Sequence, residues 1–181
     1  MSDAGERYFQ DLAAAFIRGH RPDAPSLPPD ELIAWGIGAG LRLHKFKRNA
    51  ELPRVRRVLS MLRGLIDETG ALVDIGSGRG TFLWPMLAAF PLLQVTAVDV
   101  DPIRVRDLRA VREGGVERLS VVEGDVGALP LPDRSADVVT MLEVLEHLPE
   151  PARAARRILA VARKAVIVSV PSKEDDNPEH I

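Results

Sequence analysis

The sequence predicts an α/β protein: a parallel sheet with helices on both faces, preceded by a helical N-terminal extension. Three observations carry this expectation. From Ala71 onward, short apolar runs alternate with amphipathic segments, and the runs are apolar almost throughout, as in strands buried on both faces. The first run passes into its helix through a tight glycine-rich loop. Ahead of residue 68 the apolar spacing is helical.

The elements follow in order. Tyr8 to Arg18 places Phe9, Leu12, Ala13, Phe16 and Ile17 at helical spacing. Pro22, Pro25, Pro28 and Pro29 make the next stretch an extended linker. Asp30 to Leu41 reads as a short helix, weakened by Gly36, Gly38 and Gly40. Glu51 to Asp67 carries Leu52, Val55, Val58, Leu59, Leu62, Leu65 and Ile66, an amphipathic stripe with Pro53 where a helix start tolerates it. Strands are then expected at 72–75, 93–98, 119–122, 136–142 and 165–170. Helices are expected at 81–90, 102–112 and 150–163. Asp101 before Pro102 is a helix cap in this reading.

Composition narrows the function. The 181 residues carry a formal charge of −2, with 46% hydrophobic, 28% charged and 4% aromatic residues, which describes a globular chain with an aliphatic core. The absence of cysteine rules out disulfides, thiolate metal sites, iron–sulfur clusters and a cysteine nucleophile. No apolar run reaches the ~18 residues of a membrane span. Met1 to Gln10 lacks an apolar signal core, so a cytoplasmic location is expected.

The strongest local signal is Val73-Asp74-Ile75-Gly76-Ser77-Gly78-Arg79-Gly80, a strand running into a helix through glycines. Glycine permits a tight turn and lets the backbone approach a ligand, and a helix start offers unpaired N–H groups. No lysine follows, so the loop is not a P-loop. Asp99 closes the second strand, where a carboxylate can accept from two ribose hydroxyls. Gly124-Asp125-Val126 follows the third strand, and Pro130-Leu131-Pro132-Asp133 leads into the fourth.

In this order, the motifs resemble those of the class I S-adenosylmethionine-dependent methyltransferases over about residues 71–181. The resemblance implies a Rossmann-like core at residues 69–181 behind an N-terminal helical cap at residues 1–68. It implies that Asp74, Gly76, Ser77, Gly78, Gly80, Asp99, Val100, Asp125 and Val126 bind the cofactor S-adenosylmethionine. The reaction expected is methyl transfer to a hydroxyl, with a nitrogen or carbon as the alternative, of a small molecule. One alternative is a non-catalytic S-adenosylmethionine-binding or scaffold module.

The fourth strand ends in Glu143-Val144-Leu145-Glu146-His147, at the end of the sheet where such folds place their chemistry. Glu143, Glu146 and His147 are therefore the catalytic candidates. The Glu-x-x-Glu-His string also resembles the divalent-metal motif of small-RNA 2′-O-methyltransferases and of ubiquinone-pathway O-methyltransferases. In that reading Glu143, Glu146, His147 and His180 would hold Mg²⁺ or Mn²⁺, and the alternative acceptor would be RNA. His147 as a metal-free general base is the alternative.

Segment 41–64 holds eight basic residues against the single acid Glu51. That face could hold RNA or a phosphorylated substrate, with Phe46 stacking on a ring, or it could be a solvated helix face. Arg153, Arg156, Arg157, Arg163 and Lys164 read as surface, and Trp35 and Trp84 as packing residues, with Trp84 also placed to border the cofactor. Finally, the core runs out after its fifth strand, lacking the last two strands of the usual fold. The expectation is a truncated form, or an oligomer or second chain covering the edge of strand five, because natural sheets avoid a bare apolar edge.

Overall fold

A computed structural model of the chain describes residues 7–48 and 52–171. Five parallel strands form one sheet: β1 (Ala71–Ile75), β2 (Gln94–Asp99), β3 (Leu119–Glu123), β4 (Ala136–Leu142) and β5 (Ala162–Ser169), in the spatial order β3-β2-β1-β4-β5. The order reverses between β1 and β4, and a doubly wound sheet opens a ligand crevice at that reversal, beyond the carboxyl ends of the strands.

Six α-helices accompany the sheet among the described residues: α1 (Gln10–His20), α2 (Pro29–Gly38), α3 (Pro53–Leu65), α4 (Leu83–Ala89), α5 (Pro102–Glu113) and α6 (Pro151–Val161). Single 3₁₀ turns occupy His44–Phe46, Val126–Ala128 and Leu145–His147. Side chains alternate across the strands and so divide the core in two. Leu72, Val95, Ala97, Leu119 and Val138 join one apolar cluster with α1 to α5. Val73, Ile75, Val98, Val139 and Met141 face the other, beneath α6 and the turn at Val126–Ala128.

The expected α/β class and nearly all elements are present. One boundary difference is at β5, which begins at Ala162 rather than Ala165 and follows α6 without a connecting residue. Its first residues pair with Ala136 across an irregular register, and Arg163 Nε donates to Asp137 Oδ1 at 3.1 Å. The polar Arg163-Lys164 pair hides the strand from an apolar reading because it covers Asp137. That carboxylate also accepts the Ala71 N–H at 2.9 Å, and these donors hold its pKa below the usual range. Among the described residues β5 pairs with β4 alone, and Val168 and Val170 stay exposed.

The N-terminal helices are built into the first cluster. Glycines let α1 and α5 approach to backbone contact: a Cβ on Gly19 would lie 2.0 Å from the Ala110 carbonyl oxygen, and one on Gly114 1.7 Å from that of Ala15. Asp107 of α5 accepts from His20 at 3.1 Å and from the Lys45 ammonium, joining the extension to the core through charge.

Asp101 caps α5 as expected: its Oδ1 accepts the Ile103 N–H at 2.8 Å, with Pro102 next in the chain. Removing this acceptor in Asp101→Ala is expected to cost about 1 kcal/mol. The check is a lower urea midpoint with an unchanged slope.

Candidate functional site

The glycine loop leaves β1 at the sheet reversal. Gly76, Gly78 and Gly80 have φ values of +69°, +56° and +80°. Gly76 and Gly80 also have no room for a side chain: a Cβ there would lie 2.3 Å from Val144 Cγ2 and 2.0 Å from the Trp84 ring, respectively. The Gly76 and Ser77 N–H groups donate to the Val98 carbonyl at 2.8 and 3.2 Å, which holds the loop against β2.

Beneath the loop lies an aromatic column. The Trp84 indole N–H donates to the Arg79 carbonyl at 2.9 Å. Its ring packs on Phe46 at 5.0 Å between centroids, and Phe46 packs on Phe16 at 5.1 Å. Phe46 is fully buried, which corrects the expectation that it could stack on a ligand. Trp84 is buried too and supports the loop from below.

Two carboxylates are buried at the strand ends. Asp99 accepts the Gly78 N–H at 2.7 Å and the Asp101 N–H at 3.0 Å, one on each oxygen. Asp74 accepts from the Thr140 hydroxyl at 2.7 Å, and the two residues face each other in the β1–β4 register. Burial raises the Asp74 carboxyl from 3.8 to about 6; the Thr140 and Ser77 hydrogen bonds oppose the rise and the nearby Asp99 charge adds to it. A cavity of about 170 Å³ opens between Asp74, the loop, Glu143 and the start of α3 at Arg54 and Val55.

Around this cavity the other expected residues are placed differently from one another. Val100 is 72% exposed just beyond Asp99. Asp125 is exposed, and its Oδ1 caps the following turn by accepting the Gly127 N–H at 3.0 Å. The Val126 side chain is buried in the core beneath α6.

Glu143 takes a left-handed conformation, with φ +55°, uncommon for a residue with a side chain and a mark of stored strain. Two bonds to β5 hold it: its N–H donates to the Ser169 carbonyl at 3.0 Å, and the Ser169 hydroxyl donates to its Oε1 at 2.7 Å. Both carboxylate oxygens of Glu146 are buried with no hydrogen-bond partner among the described residues. His147 is exposed.

The expected metal set is not assembled here: among the described residues no three His, Asp or Glu side chains come together to hold an ion. Glu143 is committed to Ser169 and His147 turns outward, while His180 lies outside the described residues.

Four contributors escaped the sequence reading. Thr140 and Ser169 each bond a site carboxylate. Arg157, read as surface, donates to the carbonyls of Leu129, at 3.2 Å, and Leu131, and to Asp133 at 2.7 Å, while Arg153 donates to Gly127 at 3.2 Å. Together they fasten the loop after Asp125 to α6.

Comparison with known proteins is consistent with this geometry. Residues 73–170 match the family described as Methyltransferase domain. A malonyl-[acyl-carrier protein] O-methyltransferase of Methylococcus capsulatus is 35% identical over 122 residues, 66% of this chain and 44% of that protein. A ubiquinone biosynthesis O-methyltransferase of Bordetella parapertussis is 34% identical over 112 residues, 55% of this chain and 44% of its own. This chain thus spans less than half the length of either relative. Among solved structures, the cyclase SpnF matches with a TM-score of 0.52 and 27% identity over 59% of this chain and 40% of that one. A SAM-dependent methyltransferase from Aquifex aeolicus matches with a TM-score of 0.54 and 22% identity over 70% and 71%, a likeness of fold.

Proposed function

Because the chain belongs to the methyltransferase domain family, we propose that it binds S-adenosylmethionine and directs its methyl group to a hydroxyl of a small molecule. The observation that carries this reading is the pairing of a cradle with two buried acids: the positive-φ glycines Gly76 and Gly78 border a cavity lined by Asp74, and Gly78 is bonded to Asp99. The residues fit that cofactor. Asp74 offers a carboxylate to an ammonium group inside the cavity. Asp99 keeps lone pairs for ribose hydroxyls after accepting its two backbone N–H groups. Val100 offers an apolar face to a purine, and Asp125 stands at the edge where an amino group would lie.

S-adenosylmethionine supplies a methyl already activated on a sulfonium. What remains for the protein is alignment, water exclusion and removal of the acceptor's proton. The start of α3 closes the cavity wall with Arg54 and Val55, which supports a capping role for residues 1–68 over the core at 69–181. Of the three expected reaction-side residues, Glu143 lines the cavity, Glu146 is half-buried and His147 is exposed. Among them Glu146 has two oxygens awaiting a donor, which suits it to accept the proton of a hydroxyl. An oxygen acceptor is supported by the names of both curated relatives. No helix among the described residues is long and apolar enough to cross a membrane.

The test is calorimetric titration with S-adenosylmethionine, then with S-adenosylhomocysteine. Micromolar binding of both, lost in Asp99→Ala, is expected. No heat at about 1 mM cofactor, where even weak sites fill, would sink the assignment.

A further inference from the structure

A second, larger cavity of about 560 Å³ adjoins the cofactor cavity along α3, between the His44–Phe46 turn, α3 and α4. Its volume is that of a small-molecule site. Its floor is apolar, formed by Phe9, Leu52, Val55, Leu59, Trp84 and Pro85. Its rim carries Lys47, Arg48, Arg63 and Arg79, all exposed. None of these four has a carboxylate partner among the described residues; Arg48 instead sits over the Phe9 ring at 5.3 Å. The contrast with β5 and α6 is clear: there Arg153, Arg157 and Arg163 each bond a carboxylate at 2.7–3.1 Å.

Among the described residues no acid lines the larger cavity. Unpaired cations around an apolar floor complement one class of ligand, an anion attached to an apolar body. The anion meets the guanidinium groups in charge-assisted hydrogen bonds, and the body covers the floor. The two cavities are continuous in their walls, since Val55, Arg79 and Thr81 line both. A ligand seated in the larger one therefore has a path along α3 to the glycine loop.

The geometry points to this cleft as the seat of the methyl acceptor, and to an acceptor that is an amphipathic anion with a phosphate or carboxylate head. This rests on the methyl-transfer reading above for the role of the ligand, while the binding itself does not.

The experiment titrates the 181-residue chain with decyl phosphate, decanoate and decanol, with and without S-adenosylmethionine. At least one anion is expected to bind about tenfold more tightly than the alcohol, the value of one charge-assisted contact. The affinity should fall as salt rises. The phosphate and carboxylate arms decide which head is preferred. Lys47→Gln combined with Arg63→Gln should weaken the anion about tenfold or more and leave cofactor binding unchanged. Arg57→Gln, on the same helix but outside the cleft, should leave both anion and cofactor binding unchanged.

Equal binding of decanol and the anions, or an unaffected double variant, would overturn the assignment. So would a single-stranded RNA oligomer that binds more tightly than the amphiphiles and displaces them. If the anion binds while the cofactor does not, the methyl-transfer reading fails and the cleft stands as a ligand site. If the cofactor binds and no anion does, the cleft assignment alone fails.

Discussion

Gly80→Ala is expected to unfold the chain at markedly lower denaturant and to abolish binding of S-adenosylmethionine. Two costs add. At φ +80° a side chain pays about 1–2 kcal/mol of backbone strain. The new Cβ would also lie 2.0 Å from the Trp84 ring, and overpacking of a buried site costs about 1–3 kcal/mol. Trp84 has little freedom to yield, because it is buried, its N–H is bonded to Arg79, and it rests on Phe46. The total is about 2–5 kcal/mol, a large share of a small domain's stability. Gly78→Ala is the control. It keeps a positive φ, but its Cβ meets nothing nearer than 3.6 Å, so only the backbone cost applies. Urea unfolding of both variants measures the difference. Equal midpoints for Gly80→Ala and the parent chain would show that the loop relaxes freely.

The second large effect is a pH dependence set by Asp74. Its carboxyl titrates near 3.8 when unfolded and at about 6 in the fold, where burial disfavours the charge. Between these values the folded chain holds the proton and the unfolded chain has lost it. Stability from this group is therefore complete below the lower value and is lost as pH climbs through the upper one. The loss amounts to about 1–3 kcal/mol. Asp74→Asn keeps an acceptor for the Thr140 hydroxyl and cannot ionise. It should be more stable than the parent at pH 7 to 8, in the absence of cofactor, and show a flatter pH profile. Binding should move the opposite way. A cofactor ammonium group needs the carboxylate, so affinity in the parent should rise through about pH 6, and Asp74→Asn should bind about tenfold or more weakly throughout. Denaturation and calorimetry at pH 5, 6 and 7 read both effects. An identical pH profile of affinity in the two proteins would remove Asp74 from the cofactor site.

How much of this could be read from the sequence differs between backbone and side chain. The strand–loop–helix order was legible because parallel strands buried on both faces are apolar, and because Gly76, Gly78 and Gly80 mark backbone that other residues avoid. Asp74, Asp99 and Asp125 were legible by their positions at strand ends. Which partner each acid takes was not. Thr140 and Ser169 stand out only as polar exceptions in apolar strands, and each exception marks a bond to a site acid. The register that brings Thr140 opposite Asp74 is a property of the assembled sheet. Phe46 misled for the reverse reason. It lies among lysines and arginines in the sequence, yet the fold leaves Lys47 and Arg48 exposed, pairs Lys45 with Asp107 and draws the ring beneath Trp84. The string at 143–147 looked like one cluster of ligands, but Glu143 is bonded to Ser169, the Glu146 oxygens are buried and His147 is exposed.

The aromatic column has a consequence for how this chain can vary. Phe16, Phe46 and Trp84 pass contact from α1 to the glycine loop without a polar break. A change of ring size at Phe16 therefore alters the platform on which the loop rests, although Phe16 touches no ligand. The tolerance of residues 7–48 to mutation is then set by affinity as well as by folding. A library screened for ligand capture should reject substitutions at Phe16 that a library screened for solubility alone would keep.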